Sequence, residues 1–455
     1  MILQNQIRIP SPVHGLLSRL NKAGFSAYAV GGCVRDSLLG NSPKDWDLCT
    51  SARPEEIKAC FSDHRTILTG ERYGTVTVLH ENLPYEITTF RSESGYSDNR
   101  HPNQVAFLNS LQGDLARRDF TINAMAADAE GNITDCSGGL EDLEKGQLRC
   151  VGNAKERFSE DALRILRALR FSSRLGFSIE PKTADAIHAL KDQLHAVAPE
   201  RLRKELCGLL CGSSAGAVAR AYADVLCVLI PELQRCIGFR QYNYHHLYDV
   251  WEHTLRVLEQ VPAEEDLRLA ALLHDIGKPA AFTMDKQLVG HFYGHAVTSA
   301  ALSETILRRL RYDNTTLQQV TFLVREHCFI LPEGNEKRMR KLLAAFGPES
   351  LRKLLLLRRA DAIGTGTRTA EEADRSLKSA LRLLDEVLRK EDCFSLKQLA
   401  VNGADLMALG LPQGPRIGSA LAHLLDAVID GRVQNTRAEL LSYAQKMNFL
   451  SDTDS

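Results

Sequence analysis

The chain has 455 residues, of which 44% are hydrophobic and 25% are charged, as in ordinary globular proteins with more than one domain. Its 56 Lys and Arg residues against 57 Asp and Glu residues give a net charge of -1, which excludes a globally basic coat and means that a polyanionic partner must be held by local patches. No run approaches the ~20 apolar residues of a membrane span, which excludes an integral membrane protein.

The first part of the chain predicts strands and helices in alternation. Residues 1–24 predict a helix that ends at Gly24, because apolar side chains recur at helical spacing at Val13, Leu16, Leu17 and Leu20. An apolar strand then runs into a glycine pair and a short helix (SAYAVGGCVRDSLLG), and DWDLCT predicts a second strand. YGTVTVLH and YEITTFR, separated by ENLP, predict a hairpin.

After the hairpin the strand signals become sparse. Residues 92–107 are polar and rich in turn formers, which predicts a mobile loop. ARRDFTINAMAAD predicts the start of a helix and DCSGGLEDLEKG a turn and connector. Further helices are expected at about 156–176, 182–195 and 199–212, and onward to the C-terminus. We therefore predict an α+β protein, with a mixed sheet and helices in a head and helical domains after it.

The cysteines and the N-terminal segment indicate the compartment. Eleven cysteines are scattered without any CxxC pair, which is typical of reduced thiols rather than of a disulfide framework or a zinc knot. The segment MILQNQIRIPSPVH is too polar and too interrupted by proline for a signal peptide. We therefore expect a cytoplasmic protein.

Gly31 and Gly32 lie between a predicted strand and a predicted helix. Because they have no side chains, backbone N–H groups there can approach a phosphate closely, and the helix N-terminus adds a favourable potential. Arg35, one turn further along, is placed to reach the same phosphates. The alternative is an ordinary tight connection between a strand and a helix.

Asp45 and Asp47 form the strongest chemical signal in the head. On a strand, residues two apart project from the same face, and two carboxylates that lie close together repel each other unless a cation separates them. Mg²⁺ shared by carboxylates and substrate phosphates is the usual solution, and it would support transfer of a nucleotide to a hydroxyl. Glu86, in the second hairpin strand, is a candidate third carboxylate. A solvated turn with two aspartates is the alternative.

Long motifs in the first half of the chain resemble those of one known family. VGGCVRDSLLGNSPKDWDL, LARRDFTINAMA and RFSEDALRILRALRF, in this order within roughly residues 25–206, resemble class II tRNA nucleotidyltransferases and bacterial poly(A) polymerases. The resemblance implies a polymerase-β-like nucleotidyltransferase head in which Asp45 and Asp47 bind Mg²⁺. It also implies that Gly32 and Arg35 contact nucleotide phosphates and that Arg118 lies near the nucleotide.

A predicted helical segment after the head carries a row of charged side chains: Glu160, Asp161, Arg164, Arg167 and Arg170. A carboxylate accepts a hydrogen bond from the exocyclic amine of cytosine or adenine and a guanidinium donates to the ring, whereas U and G present a carbonyl to the carboxylate. Asp161 with Arg164 therefore suits C and A, and Arg167 and Arg170 are better placed for phosphates or for orienting Asp161. Spacing alone favours ordinary ion pairs on a solvated face. The family resemblance instead favours a nucleotide-selecting helix, braced by the later motif ERLRKEL.

A second constellation lies in the middle of the chain. His253, His274, Asp275 and Asp361 follow the H…HD…D order of HD phosphohydrolases, which this segment resembles. Adjacent imidazole and carboxylate ligands at the end of an apolar helix suit a divalent metal such as Ni, Mn, Co or Mg. They would support hydrolysis of a phosphomonoester or cyclic phosphodiester. Candidates for a second metal position are His291, His295 and His327, and the alternative to the whole site is a helical scaffold that supports RNA.

The C-terminal part offers candidate RNA contacts. A basic stripe, with Glu349 as its single acid, suits phosphate contacts or a solvated helical face; it consists of Lys337, Arg338, Arg340, Lys341, Arg352, Lys353, Arg358 and Arg359. The loop GLPQGPRIG places backbone amides at a helix N-terminus, which suits RNA phosphate. Residues 399–436 resemble the tail of family members that add CCA to tRNA.

Together these features predict a CCA tRNA nucleotidyltransferase that adds CMP, CMP and AMP from CTP and ATP to the 3′ end of tRNA, with an HD module. We expect a head at 1–150, a helical neck at 151–235, an HD domain at 236–370 and a tRNA-binding tail at 371–455. The sequence leaves open an A-adding or CC-adding enzyme or a poly(A) polymerase of the same family. It also leaves open an HD phosphohydrolase whose head only docks RNA, whereas a non-catalytic RNA adaptor would have no use for two sets of metal ligands. It does not indicate the oligomeric state.

Overall fold

The computed structural model describes residues 6–68, 70–96, 102–332, 334–390 and 395–447. It forms two compact units, Met1–Gln234 with Ile306–Tyr312 and Arg235–Thr305 with Asp313–Ser455. The ten cysteines within the described ranges are free thiols, as predicted. Across the same ranges, no helix has the length and apolar character needed to cross a bilayer.

The first unit is built on a mixed sheet with the strand order β3-β4-β5-β2-β1-β8-β9, in which β2 runs parallel to β5 and the other neighbours are antiparallel. The strands are β1 (Ala27–Val30), β2 (Leu48–Thr50), β3 (Arg65–Ile67), β4 (Thr75–His80), β5 (Leu83–Thr89), β6 (Arg91–Tyr96), β7 (Pro102–Phe107), β8 (Met125–Ala127), β9 (Ile133–Asp135), β10 (Gln147–Leu148) and β11 (Ser178–Ile179). The helices are α1 (Ser11–Lys22), α2 (Gly32–Leu38), α3 (Pro54–Cys60), α4 (Leu111–Ala116), α5 (Gly139–Lys145), α6 (Ala154–Glu160), α7 (Leu163–Leu175), α8 (Pro181–Leu190), α9 (Pro199–Leu210), α10 (Ala215–Ala221) and α11 (Ala223–Leu229).

Helices predominate in the rest of the chain. They are α12 (Val250–Gln260), α13 (Glu265–Leu273), α14 (Lys278–Ala281), α15 (His295–Arg309), α16 (Asn314–Glu326), α17 (Glu336–Phe346), α18 (Pro348–Gly364), α19 (Ala370–Arg389), α20 (Gly403–Ala408), α21 (Pro415–Ile429) and α22 (Arg437–Lys446), with a short antiparallel pair of β12 (Thr283–Met284) and β13 (Gly290–His291). Buried apolar clusters lie within residues 339–387 and within residues 399–444. A sheet-containing first unit and a helical remainder confirm the predicted α+β class, and the division into four domains stays a prediction.

The N-terminal helix and the hairpin follow from local sequence signals. α1 begins after Pro10 and buries the predicted apolar stripe, and each buried leucine contributes about 1.5–3 kcal/mol. β4 and β5 are joined by Glu81 and Asn82, whose φ angles are 51° and 63°. Two residues with positive φ give a turn whose twist matches that of the two strands.

Three segments of the head differ from the prediction. The predicted loop at 92–107 contains the antiparallel pair β6 and β7, and residues 97–101 lie outside the described residues. ARRDFTINAMAAD does not begin a helix, because α4 ends at Ala116 and the buried strand β8 follows and pairs with β1. This pairing overrides the helix preference of Ala and Met. DCSGGLEDLEKG contains β9 and α5 and is more than a connector.

The predicted helix at 156–176 is two helices, α6 and α7. Asp161 between them has an extended backbone, with φ -142° and ψ 102°, and its Oδ1 accepts a hydrogen bond from the Leu163 N–H at 3.0 Å. An aspartate that bonds the backbone two residues ahead competes with the helical hydrogen-bond pattern. The prediction of one helical segment from Glu160 to Arg170 is therefore wrong, and Asp161 lies at the break.

Candidate functional site

A glycine turn, Gly31 and Gly32, connects β1 to α2 in the first unit. Gly31 has φ 85°, which other residues rarely adopt, and a Cβ at this position would lie 3.2 Å from Arg118 Nη1. The buried carboxylate of Asp114 holds Arg118 at 3.3 Å and Arg117 at 2.8 Å. The turn therefore brings backbone N–H groups and the Arg118 guanidinium close together.

A cavity of about 460 Å³ adjoins this turn; it is lined by Gly32, Cys33, Asp36, Asn41, Ser42, Pro43, Lys44, Asp45, Asp47, Arg174 and Leu175. The carbonyl oxygen of Asp47 accepts a hydrogen bond from the Val30 N–H at 2.9 Å, which fixes the aspartate segment beside β1. Both aspartates precede β2, which begins at Leu48, so the predicted strand starts later than expected. The structure nevertheless brings the predicted acidic pair, Asp45 and Asp47, together with the glycine turn.

The charges of two other carboxylates act on Asp47. β2 and β5 pair with Leu48 opposite Ile87, and this register brings Glu86 towards Asp47. Loss of hydration, then the negative charges of Glu86 and Asp45, raise the pKa of Asp47, and Arg118 opposes this effect. The Asp47 residue as a whole is exposed. We therefore attribute the raised pKa of its carboxyl group mainly to repulsion by the neighbouring negative charges. Hard anionic oxygens that repel one another fit Mg²⁺, which would be held by Asp45 and Asp47.

Arg35 is buried beside this cavity and does not line it. Its guanidinium donates to Asn123 Oδ1 at 2.6 Å and to Asp36 Oδ1 at 2.8 Å, and lies 5.2 Å from the centre of the Phe171 ring. These contacts favour a bracing role, and its predicted contact with phosphate stays a prediction. Arg174, which the sequence analysis missed, lines the cavity instead. Arg174 lies four residues after Arg170 in α7, one helical turn further along the row of Arg164, Arg167 and Arg170. This spacing is the signal in the sequence that could have identified it.

Asp161 and Arg164, the predicted base-selecting pair, lie at the junction of α6 and α7. Asp161 Oδ2 accepts a hydrogen bond from Arg201 Nη2 at 2.8 Å. Arg164 donates to Glu160 Oε2 at 2.6 Å and to the carbonyl oxygen of Arg117 at 3.4 Å. The pair does not line the cavity at the aspartates, but the Arg117 contact joins it to the segment that carries Arg118.

Arg167 and Arg170 contact carboxylates other than Asp161. Arg167 donates to Asp119 Oδ2 at 2.6 Å, and Arg170 donates to Glu205 Oε2 at 3.0 Å. Burial would raise the pKa of Asp119, but Arg167 holds it below its usual value. Arg201 is thus the arginine seen to bond Asp161, a role predicted as one alternative for Arg167 and Arg170, and the signal for Arg201 lay in the motif ERLRKEL. The other alternative, phosphate contact by Arg167 and Arg170, stays a prediction.

The second unit contains a buried histidine cluster with a common orientation. In each of three histidines the Nδ1–H donates to a carbonyl oxygen three residues earlier, at 2.7–2.8 Å: His274 to Ala271, His295 to Phe292 and His327 to Val324. A carbonyl can only accept, so the Nε2 lone pairs are left for another partner. The His253 and His274 Nε2 atoms lie 3.1 Å apart, and those of His295 and His327 lie 3.3 Å apart. Two Nε2 atoms this close together repel each other unless a proton or a cation lies between them. Pairs of imidazole nitrogens at this distance are typical of metal ligands.

Asp275 lies between two groups of metal-ligand type. The first group is His253, His274 and Asp361, and the second group is His295, His327 and Cys328. Asp275 Oδ2 is 3.1 Å from the Nε2 atoms of both His253 and His274, and Oδ1 is 3.3 Å from His295 Nε2. The structure therefore brings the predicted HD residues together in one place.

Cys328 replaces one predicted member of the second group. His291 Nε2 lies 2.8 Å from Asp285 Oδ2 and its ring stacks on Tyr293, so it does not join His295 and His327. The sequence analysis missed Cys328, although the segment REHCF places it directly after His327. His291 was therefore the wrong third residue for this position.

The histidines and aspartates of this site, which we call the HD cluster, open into a cavity of about 400 Å³. The wall of this cavity includes the basic side chains of Lys278, Arg358 and Arg368. Burial would lower the pKa of His253, but Asp275 and Asp361 raise it to about 9. Burial would likewise raise the pKa of Asp361, but His253 holds it far below its usual value. The two carboxylates thus stabilise positive charge at His253, whereas burial lowers the pKa of His274.

Acidic side chains neutralise most of the predicted basic stripe, some from its own two helices and some from elsewhere in the second unit. Its ion pairs join Lys337 and Lys341 to Asp430, Arg340 to Glu336, Arg352 to Asp385, Lys353 to Asp266, Arg358 to Asp361 and Arg359 to Asp374. α21 begins inside the GLPQGPRIG segment, at Pro415, which has no N–H to offer a phosphate. These contacts favour a structural role, and RNA binding by the stripe stays a prediction.

Family models match three segments of the chain. The poly A polymerase head domain matches residues 27–149, the segment with the glycine turn and the acidic pair. "Probable RNA and SrmB- binding site of polymerase A" matches residues 176–235. tRNA nucleotidyltransferase domain 2 matches residues 291–444.

Curated relatives extend the similarity over nearly the whole chain. A CCA-adding enzyme of Lactobacillus delbrueckii subsp. bulgaricus is 35% identical over 428 residues, which are 94% of this chain and 96% of the relative. The chain belongs to the CCA-adding enzyme family. Another CCA-adding enzyme, from Leuconostoc mesenteroides subsp. mesenteroides, is 52% identical over 200 residues, which are 44% of this chain and 49% of that relative.

A solved structure shares the fold. The crystal structure of Bacillus stearothermophilus CCA-adding enzyme in complex with CTP matches 97% of this chain and 98% of its own, with a TM-score of 0.75 and 29% identity. The family predicted from the motifs is thus confirmed, as are the polymerase-β-like head and the nucleotidyltransferase class. The HD module stays a prediction.

Proposed function

We propose that this CCA-adding family member transfers CMP, CMP and AMP in turn from CTP and ATP to the 3′ end of tRNA, in the cytoplasm and with Mg²⁺. The observation that carries the proposal is the cavity wall shared by the glycine turn, Lys44, Arg174 and the acidic pair. Donors and cations for a triphosphate lie there beside carboxylates for a divalent metal, the combination that phosphoryl transfer uses.

The proposed reaction is a nucleotidyl transfer. The oxygen of the terminal tRNA hydroxyl bonds to the α-phosphorus, the bond from that phosphorus to the bridging oxygen breaks, pyrophosphate leaves and the hydroxyl proton passes to solvent. Asp45 and Asp47 would hold Mg²⁺, which when bound supplies positive charge to the attacking and leaving oxygens. Gly32, Lys44 and Arg174 orient the phosphates.

The base-selecting pair supplies the template in this proposal. The carboxylate of Asp161 accepts from the amine of C or A, and Arg164 donates to the base ring. U and G present a carbonyl to the carboxylate and leave it unpaired, which costs binding energy. The ion pair with Arg201 at 2.8 Å holds Asp161 in position.

Extension of tRNA that lacks its last three nucleotides tests the proposal. We expect CTP alone to add two nucleotides, ATP alone to add none, and the two together to add three and stop. An enzyme that extends only tRNA ending in CC is A-adding, and one that stops after two nucleotides with both substrates is CC-adding. A long adenylate tract indicates a poly(A) polymerase, and no extension at all contradicts every nucleotidyltransferase alternative.

We expect Asp161→Asn to weaken base selection. The amide can donate to the carbonyl of U, so the ratio of kcat/KM for CTP to that for UTP should fall about ten- to 100-fold, as expected for contacts worth about 1–3 kcal/mol. Single-nucleotide addition with each triphosphate measures the ratio. Asp185→Asn, the same change on an exposed residue of α8, should leave it unchanged. An unchanged ratio in Asp161→Asn would show that another residue selects the base.

We expect Arg174→Met to raise the KM values for CTP and ATP by the same factor. The side chain lies in the cavity wall and would bond the triphosphate, which both substrates share, so the factor should be about tenfold or more. Steady-state addition with each nucleotide measures it, with the exposed Lys182→Met as the control. A change for one nucleotide only would place Arg174 at the base instead.

We propose a second activity in the second unit: metal-dependent hydrolysis of a phosphomonoester or cyclic phosphodiester. The observation that favours it is the pair of ligand groups beside Asp275, in a cavity whose wall also includes Arg368, a cation that suits a phosphate. A divalent metal fits because imidazole Nε2 atoms and carboxylates converge there, and when bound it would make water a better nucleophile. Hydrolysis of p-nitrophenyl phosphate or cyclic nucleotides that stops on chelation and returns with added metal is the expected result. No hydrolysis with any divalent metal would favour the scaffold alternative.

A further inference from the structure

Cys328 lies in the wall of the cavity at the HD cluster, beside His295 and His327. Its Sγ is 3.6 Å from His295 Nε2 and 3.2 Å from His327 Nε2, and the two nitrogen atoms are 3.3 Å apart. Cys328 is exposed to solvent, so an ion can reach it. Two nitrogen atoms and one sulfur atom thus form a small triangle of potential metal ligands at the edge of the histidine cluster.

The size of this triangle fits a tetrahedral zinc ion. Bonds of about 2.3 Å to sulfur and about 2.0 Å to nitrogen, at tetrahedral angles, separate sulfur from nitrogen by about 3.6 Å and the two nitrogens by about 3.3 Å. The observed nitrogen separation and one of the sulfur separations match these values, and the other sulfur separation is shorter. A small rotation of the Cys328 side chain would equalise the two.

Asp275 provides an independent sign that a ligand is needed. It is 1% exposed, and within the described part of the chain no hydrogen-bond donor satisfies its Oδ1. This oxygen lies 3.3 Å from His295 Nε2 and 3.7 Å from His327 Nε2, so it borders the two nitrogen corners of the triangle. A buried carboxylate oxygen without a donor is costly unless a cation compensates it.

We propose that His295, His327 and Cys328, beside the uncompensated Oδ1 of Asp275, form a zinc-selective metal position. This inference rests on the proposed hydrolase function, whose second metal position it specifies. A thiolate ligand favours zinc over Mg²⁺, whereas the first group offers only nitrogen and oxygen and accepts harder ions. On binding, the Cys328 sulfur bonds to the metal and its proton passes to solvent, so the two positions of one cavity differ in metal preference.

Metal content and a cobalt spectrum of the full chain test the proposal. We expect wild type, dialysed with excess Zn²⁺ and then gel-filtered, to retain one more metal per chain than Cys328→Ser or Cys328→Ala. Wild type loaded with Co²⁺ should show thiolate-to-cobalt charge-transfer absorption in the near ultraviolet, and both variants should lack it. Cys136→Ser, a change at another exposed cysteine, should keep the band. A band that persists in both Cys328 variants, or that is absent from wild type, would overturn the assignment.

Alkylation gives a second readout that does not depend on activity. Zn²⁺ should slow the reaction of Cys328 with iodoacetamide at least tenfold, as measured by peptide mass spectrometry, and should not change that of Cys136. Equal rates at Cys328 with and without Zn²⁺ would contradict the proposal. A chain with the band and the protection but without phosphoester hydrolysis would support the zinc position and contradict the hydrolase. Phosphoester hydrolysis without the cobalt band and without the protection would support the hydrolase and contradict the zinc position.

Discussion

Replacing Asp47 by Asn should abolish nucleotide addition and, at the same time, stabilise the metal-free protein. Loss of a metal-binding carboxylate should lower kcat by roughly 10³-fold, about 4 kcal/mol. The stability gain follows from the raised pKa of Asp47, which is caused by lost hydration and by the charges of Glu86 and Asp45. A group whose folded-state pKa is raised loses its stabilising contribution as the pH rises through that pKa. The gain from Asn should therefore be present at neutral pH and vanish below the ordinary pKa of aspartate.

Thermal unfolding and nucleotide addition measured on the same preparations check both effects. Mg²⁺ should raise the Tm of wild type, because an ion that binds only the folded chain stabilises it, and should raise that of Asp47→Asn less. Asp185→Asn serves as the matched surface control. Wild-type activity in Asp47→Asn would remove Asp47 from the catalytic site, and a lower Tm without metal would contradict the repulsion between carboxylates.

His274→Ala should abolish phosphoester hydrolysis and leave addition to tRNA within about twofold of wild type. His274 is fully buried and its Nε2 lies 3.1 Å from His253 Nε2 and 3.1 Å from Asp275 Oδ2, so the variant removes a central ligand and should lower hydrolysis roughly 10³-fold. Addition depends on residues of the first unit and should survive. Asp45→Ala should show the opposite pattern, and rates of both reactions on each variant provide the measurement.

Because His274 is buried, the variant must also be shown to fold. Asp361→Asn keeps the volume of its side chain and removes another ligand of the first group, so it should lose hydrolysis with a smaller change in Tm. If His274→Ala hydrolyses phosphoesters at the wild-type rate, the HD cluster is not the hydrolytic site. If His274→Ala instead loses the main activity while Asp45→Ala retains it, the chain is chiefly an HD phosphohydrolase with an RNA-docking head.

Features encoded by local spacing were predictable from the sequence. The apolar stripe of α1 and the hairpin of β4 and β5 depend on residues close in the chain, so periodicity and turn chemistry sufficed. The acidic pair was found from the spacing of its two carboxylates, and the HD residues were found because their order resembles that of HD phosphohydrolases. The structure brings each of these sets together, although Asp45 and Asp47 precede the strand on which they were expected.

Features that depend on distant contacts were not predictable in this way. β8 was predicted as helix because its pairing with β1 involves residues about 100 positions earlier. The helix break at Asp161 arises from a side-chain hydrogen bond that competes with the helix, which periodicity does not reveal. The ion pair of Arg201 with Asp161 and the approach of Cys328 to His295 join segments 40 and 33 residues apart.

A crystal structure of the chain with CTP and Mg²⁺ tests the central claim most directly, namely that one nucleotide spans the acidic pair and the base-selecting pair. We expect the triphosphate at Gly32, Asp45 and Asp47, and the cytosine amine within hydrogen-bond distance of Asp161. A triphosphate at the aspartates with its base far from Asp161 and Arg164 would contradict the claim.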